Sequence, residues 1–171
     1  MRFLYLPLLF AVILILQSTT VTFLFPDWMV GGFDLPLIVV IHVALTRGKT
    51  AGMLSGLILG YFQDAMSGGI LGFNGVSKVL GGFTGGYLKE KFFMRSVAHR
   101  LASVAGAVLM ALLTKAAVLS LFSQPHPPVI SSPFLWGFTG NTFFALVIHA
   151  LLERFETMLG IRTEEELSLG D

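Results

Sequence analysis

Residues 3–25, FLYLPLLFAVILILQSTTVTFLF, contain no charged side chain. A bilayer core about 30 Å thick needs roughly 20 helical residues, so this run alone is long enough to cross one. Five more apolar segments follow, over residues 35–46, 50–63, 73–88, 97–122 and 134–159. A chain of 171 residues that is 54% hydrophobic and 12% charged has too little polar surface to clothe a water-soluble globule carrying six such runs. The pattern predicts an all-α membrane protein: one six-transmembrane-helix bundle over residues 1–160, then a short acidic cytoplasmic tail over 161–171 that stays solvated. The first run is too long for a signal-peptide core and no small-x-small cleavage site follows it, so it reads as a retained helix.

The segments are unequal, the second, third and fourth being short. At about 1.5 Å per residue, residues 35–46 reach only roughly 18 Å and cannot cross hydrocarbon unaided. Asp34 can cap that helix and Pro36 suits its first turn. Residues 26–34, PDWMVGGFD, are therefore expected to dip inward as irregular backbone sheltered by neighbouring helices.

Lys and Arg accumulate in cytoplasmic loops, which orients the bundle. With the amino terminus inside, Arg2, Arg47, Lys49, Lys89, Lys91, Arg95, Arg100, Arg154 and Arg162, nine of the eleven basic residues, fall on the cytoplasmic side. The outer connections then hold Asp27, Asp34, Asp64 and the His126 loop, with Trp28 and Trp136 near the outer interface. Both termini are expected in the cytoplasm.

Residues 52–86 carry eleven glycines. Each glycine inside a helix costs about 1 kcal/mol relative to alanine, so their number needs a compensating gain. Gly52, Gly56 and Gly60 recur every four residues along one face, and Gly81 with Gly85 and Gly82 with Gly86 make similar stripes on the next helix. In lipid such stripes let helix backbones approach closely and gain van der Waals contact, within the bundle or against a second protein. Gly68, Gly69 and Gly72 read instead as turn residues.

Two lysines, Lys78 and Lys115, fall inside apolar helices, where charge is a functional signal by default. Asp64 ends the third helix on the same outer side. It either pairs with Lys78 across the short connection or both side chains snorkel separately. Lys115 starts deeper and is expected in a polar pocket with Gln17, Asn141 or the carboxyl side of the third helix. An outer-side polar cluster of Asp34, Gln63, Asp64, Asn74, Lys78 and Lys115 results. His42 and His149, in the inner halves of their helices, have no metal-like spacing and read as satisfied interior histidines; His99 lies in the basic cytoplasmic connection.

Several function classes drop out. The chain has no cysteine, so disulfides, thiolate metal sites and cysteine nucleophiles are excluded. A net charge of +1 argues against nucleic-acid binding. No HExxH, GxSxG or phosphate-binding loop occurs, and an aspartyl hydrolase would want two facing carboxylates where only Asp64 is placed at depth. Neither catalysis nor a cofactor or metal is expected.

PDWMVGGFDLPLIVVIHVAL followed by GMLSGLILGYFQDAMSGGILGFNGVSKVLGGFTGG resembles the MreD family of bacterial rod shape-determining proteins. The likeness covers roughly residues 26–90. It rests on Asp34 near Pro36, a glycine-spaced helix ending in Gln63 and Asp64, and the turn SGGILGFNGVSK entering a glycine-rich helix. It implies a multi-pass protein of the bacterial inner (cytoplasmic) membrane, a non-catalytic scaffold or regulator of the elongation complex that makes lateral peptidoglycan. MreC would be its direct partner, with the MreB filament and the elongation glycosyltransferase and transpeptidase pair contacted directly or indirectly. The implied fold is similar to the S component of energy-coupling-factor transporters, and a vitamin-binding S component is the alternative function, with Gly52, Gly56 and Gly60 as its coupling surface. The matching positions are Asp34, Pro36, Gly60, Gln63, Asp64, Gly72, Asn74 and Lys78, expected to shape the outer mouth of the bundle and the surface facing MreC.

Overall fold

A computed structural model describes residues 2–21, 33–68, 71–92, 97–124 and 131–160. Among these residues the chain is helical throughout its regular structure, with no strand. Helix α1 spans Arg2–Leu16 and continues as a π-helical turn over Gln17–Val21; α2 spans Leu35–Arg47, α3 Lys49–Ser67, α4 Phe73–Phe92, α5 Val97–Leu121 and α6 Ser132–Met158. The widening of α1 has a local cause. Ser18 and Thr19 both donate their hydroxyls to the Ile15 carbonyl, at 3.1 and 2.6 Å, and so compete with the backbone ladder. Helices α5 and α6 are long and apolar enough to cross a membrane by length and composition.

Two expectations on length need correction. The third and fourth helices are not short: α3 has 19 residues and α4 has 20. Their ends carry Lys49, Asp64, Lys89 and Lys91, polar residues that interrupt an apolar run without interrupting a helix. Only α2, with 13 residues, remains short among the three. The proposed inward dip over residues 26–32, the end of the first apolar run, Gly69, His126 and the acidic tail lie outside the described residues.

Helix α2 explains its own brevity. Every residue from Pro36 to Leu45 is buried, so a segment apolar all round has become the central rod of the fold rather than an amphipathic outer one. Asp34 starts it as expected, accepting a hydrogen bond from the Leu37 amide at 3.1 Å, with Pro36 in the first turn. One side of α2 packs Leu37, Ile38, Ile41 and Leu45 against Val104, Ala107, Val108 and Ala111 of α5 and Ala145 of α6. The other packs Val39, Val40 and Val43 against Ile13 of α1 and Leu59 of α3.

The glycine stripes face one another inside the chain. A methyl group added to Gly56 would lie 2.6 Å from the Lys78 backbone, one on Gly52 would lie 2.8 Å from the Gly82 carbonyl, and one on Gly60 would strike Gly75. Gly82 and Gly86 answer from α4, against Gly52 and Lys49. Gly81 and Gly85 use the neighbouring face of α4 to approach Ala107 and Ala111 of α5. So α4 presents one glycine stripe to each flanking helix. Gly68 and Gly72 take left-handed backbone, φ 63° and 93°, at the turn between α3 and α4, where only glycine is free of a Cβ penalty.

Candidate functional site: a buried charge cluster at one end of the bundle

Successive helices alternate in direction, which gathers the end of α1, the start of α2, the end of α3, the start of α4, the end of α5 and the start of α6 at one pole. Asp34 is its centre. The carboxylate oxygen Oδ2 accepts hydrogen bonds from Lys78 Nζ and from Lys115 Nζ, each at 2.7 Å. Lys78 is wholly buried and Asp34 is 3% exposed, so the pair lies inside the protein and not on its rim. Charged hydrogen bonds this short are strong, and burial makes any unpaired member costly.

The backbone around Asp34 is held by two amide side chains. Asn141 of α6 accepts the Asp34 amide proton on Oδ1 at 2.9 Å. Gln17, in the π-helical turn of α1, accepts from the Leu35 amide at 2.9 Å and donates to the Phe33 carbonyl at 3.2 Å. With Lys78 of α4 and Lys115 of α5 on the carboxylate, side chains from four other elements therefore converge on residues 33–35 at the start of α2. The expected company of Lys115, Gln17 and Asn141 is present, with Asp34 as the group that joins them.

Asp64 does something else. Neither alternative for Asp64 and Lys78 holds: the two do not pair, and both are buried rather than snorkelling outward; Asp64 caps α4, accepting from the Gly72 amide at 2.9 Å, the Asn74 amide at 3.0 Å and Asn74 Nδ2 at 2.9 Å. Backbone donors at a helix N-terminus occupy its oxygens, and negative charge there is favoured by the helix dipole. Lys78, one turn further along α4, turns to Asp34 and donates a long bond, 3.4 Å, to Asn74 Oδ1. Asn74 thus bridges the two carboxylates' territories. Gln63, expected in the same cluster, stays out of the network: its Oε1 is buried with no hydrogen bond among the described residues.

Counted together, Asp34, Asp64, Lys78 and Lys115 carry two negative and two positive charges. The cluster closes as a neutral unit, with Asp64 adding a further electrostatic attraction on Lys78. Such an arrangement can hold helix ends in register. It presents no spare charge with which to capture an ion.

The opposite pole holds a second buried cluster that the sequence reading did not assemble. His42 of α2 and His149 of α6 meet through their Nδ1 atoms at 2.9 Å. His42 Nε2 lies 3.4 Å from Glu156 Oε1, and His149 Nε2 lies 3.4 Å from Glu153 Oε1. Arg47 and Arg100 approach Glu156 and Glu153 at 3.9 and 3.5 Å. A usable signal was present: His149, Glu153 and Glu156 recur at helical spacing and so share one face of α6. His42 and Glu156, by contrast, are joined only by the tertiary fold.

Comparison with protein-family models, with curated proteins and with solved structures gives no match.

Proposed function

We propose that this chain is a non-catalytic membrane scaffold of the MreD type, embedded in the bacterial inner membrane and binding MreC in the elongation complex. The observation that carries the reading is that five of the eight residues of the family-like motif form one bonded unit. Asp34, Asp64, Gly72, Asn74 and Lys78 are linked to one another through hydrogen bonds that tie the ends of α2, α3 and α4. A motif used up in holding helices together suits a protein whose product is a shaped surface.

The membrane part of the proposal draws support from an inverted distribution of polarity. Lys78, Asp34 and Glu156 are buried, while Leu57, Tyr61, Phe62, Phe143 and Leu151 are each at least half exposed. Water would penalise that surface heavily, and lipid would not. Two helices of spanning length agree with it.

The vitamin-binding alternative is less well supported. A cleft of about 650 Å³ lies between α1 and α3, and all its lining residues, among them Leu6, Phe10, Leu14, Ile58, Phe62 and Met66, are apolar. Small-molecule sites for vitamins need a few convergent polar groups to orient the ligand. None of the cleft's lining residues belongs to the polar clusters around Asp34 or Glu156.

Co-expression of the tagged chain with MreC of the same organism tests the proposal. Co-purification in mild detergent, together with rescue of rod shape in cells depleted of their own MreD, is the expected result. Capture of a transporter ATPase module in place of MreC would overturn it.

A further inference from the structure

The cleft between α1 and α3 belongs to neither buried cluster. Ten described residues line its volume of about 650 Å³, and all ten are apolar. Its floor is Leu59, wholly buried with Val39, Val40 and Val43 of α2, while Ile15, Phe62 and Met66 are each more than half exposed. The sequence explains why the two helices do not close the gap. Helix α3 turns its glycines to α4 and its bulky Ile58, Phe62 and Met66 to the cleft. Helix α1 answers with Leu6, Phe10 and Leu14, and Ala11 is the smallest side chain among the ten. Neither wall carries the small-residue stripe through which helix backbones meet in lipid.

Such a gap has to be filled, since walls facing a void lose their dispersion partners. Water does not suit it, because a buried water needs several polar partners and the lining side chains supply none. Hydrocarbon suits it on both counts. Size then decides between a protein and a lipid. The bordered stretches, Leu6 to Ile15 and Ile58 to Met66, are each about 12–14 Å long at about 1.5 Å per residue. A partner helix crossing a core of about 30 Å would find a wall along less than half its length. A stable protein interface engages about 20–30 residues a side, against ten here. On α3 the cleft starts at Ile58, the middle of the helix, and ends at Met66, next to its last residue Ser67. This is the half of α3 on the Asp34 side, close to the depth of one leaflet's hydrocarbon, about 15 Å. No charged side chain borders the cleft among the described residues, which matches an uncharged chain and not a headgroup.

We propose that the α1–α3 cleft is a lipid site that holds the acyl tails of one phospholipid from the leaflet on the Asp34 side. The headgroup lies beyond Met66 and Ile15, and the tails run inward toward Ile58 and Leu6. The proposal rests on the membrane part of the reading above and not on the identity of the protein partner. It gives the lipid a structural task. Helix α1 meets the core through Ile13, which packs with Val39, Val40 and Val43, and through Gln17 at its end. The tails supply the contact with α3 that the side chains of α1 leave unmade.

Photo-crosslinking of the full chain in phospholipid nanodiscs tests the site, with a phospholipid carrying a diazirine on one acyl chain as the probe. A diazirine near the ester should label Ile15, Phe62 and Met66, and one near the methyl end should move the label to Leu6 and Ile58. Both should exceed the label on Phe143 and Leu151, exposed residues of α6 that face bulk lipid. Ala11→Trp fills the cleft from the α1 wall and should abolish its label while leaving that on α6. Met66→Asp, at an exposed position, sets a charge in the mouth and should give the same loss without adding bulk between the helices. Equal labelling of the cleft and of α6, or a cleft label unchanged in both variants, would overturn the lipid site and leave the membrane reading standing. A cleft that yields peptide-to-peptide crosslinks to a second chain when a photoreactive residue replaces Ile58 would assign it to a protein and overturn the proposal too. Absence of lipid label from every helix would overturn the membrane reading itself, and the lipid site with it.

Discussion

Asp34 serves two lysines at once, and this makes the three side chains unequal under mutation. Lys115→Met leaves Asp34 paired with Lys78, so no charge is stranded and the loss should stay below about 2 kcal/mol, the scale of one charged hydrogen bond. Asp34→Ala strands the buried Lys78 ammonium beside the part-buried one of Lys115 and should cost about 3–5 kcal/mol. Thermal unfolding of the detergent-solubilised variants gives the comparison, and equal losses would show that the carboxylate is not shared. The sequence made the members of this cluster legible, because charge inside an apolar helix is conspicuous. It did not make the pairing legible. Asp64 stands 14 positions from Lys78 and Asp34 stands 44 away, and proximity along the chain favoured the wrong partner. What decided the pairing was the free amides of the α4 N-terminus, which claimed Asp64 first. The histidine pair was hidden for a similar reason, since His42 and His149 lie 107 residues apart and meet only because α2 is the central rod.

Between elements, the glycine stripes were readable because four-residue spacing fixes which side of a helix a residue occupies. Their partners were not, since spacing on one helix says nothing about the identity of the next. The structure pairs Gly52, Gly56 and Gly60 with the α4 backbone, which gives a sharp contrast between glycines. Gly56→Ala places a methyl group 2.6 Å from the Lys78 carbonyl, so α3 and α4 must move apart at the very residue that delivers the buried lysine to Asp34. Overpacking of this kind costs about 1–3 kcal/mol, and here the displaced Lys78 adds to it. Gly140→Ala, in the interior of α6, meets no atom within 4 Å. It should stabilise the protein by up to about 1 kcal/mol, through helix propensity alone. Unfolding midpoints of the two alanine variants should therefore shift in opposite directions. A shift of Gly140→Ala as unfavourable as that of Gly56→Ala would mean that close helix approach is not what the glycines supply.

Over the whole molecule, alternating helix direction separates two chemically different poles. One holds Asp34, Asp64, Lys78 and Lys115 as a closed neutral unit; the other holds the ends of α2, α4 and α6 with Arg47, Lys89, Lys91 and Arg154, and the starts of α3 and α5 with Lys49 and Arg100. Among the described residues, the basic side chains outside the Asp34 cluster thus belong to helix ends at the second pole, and in a membrane that asymmetry sets orientation. The expected topology has the second pole in the cytoplasm, with both helix α1's start and helix α6's end on that side. A cysteine-free chain makes the test direct, because any thiol introduced is the one thiol present. Cysteines at Gly68, beside the first pole, and at Thr50 and Arg154, beside the second, are treated in intact cells with a membrane-impermeant maleimide. Labelling at Gly68 alone is expected, with the other two reacting only after lysis. Labelling at Thr50 and Arg154 with protection at Gly68 would invert the bundle, and would place the Asp34 cluster on the cytoplasmic side.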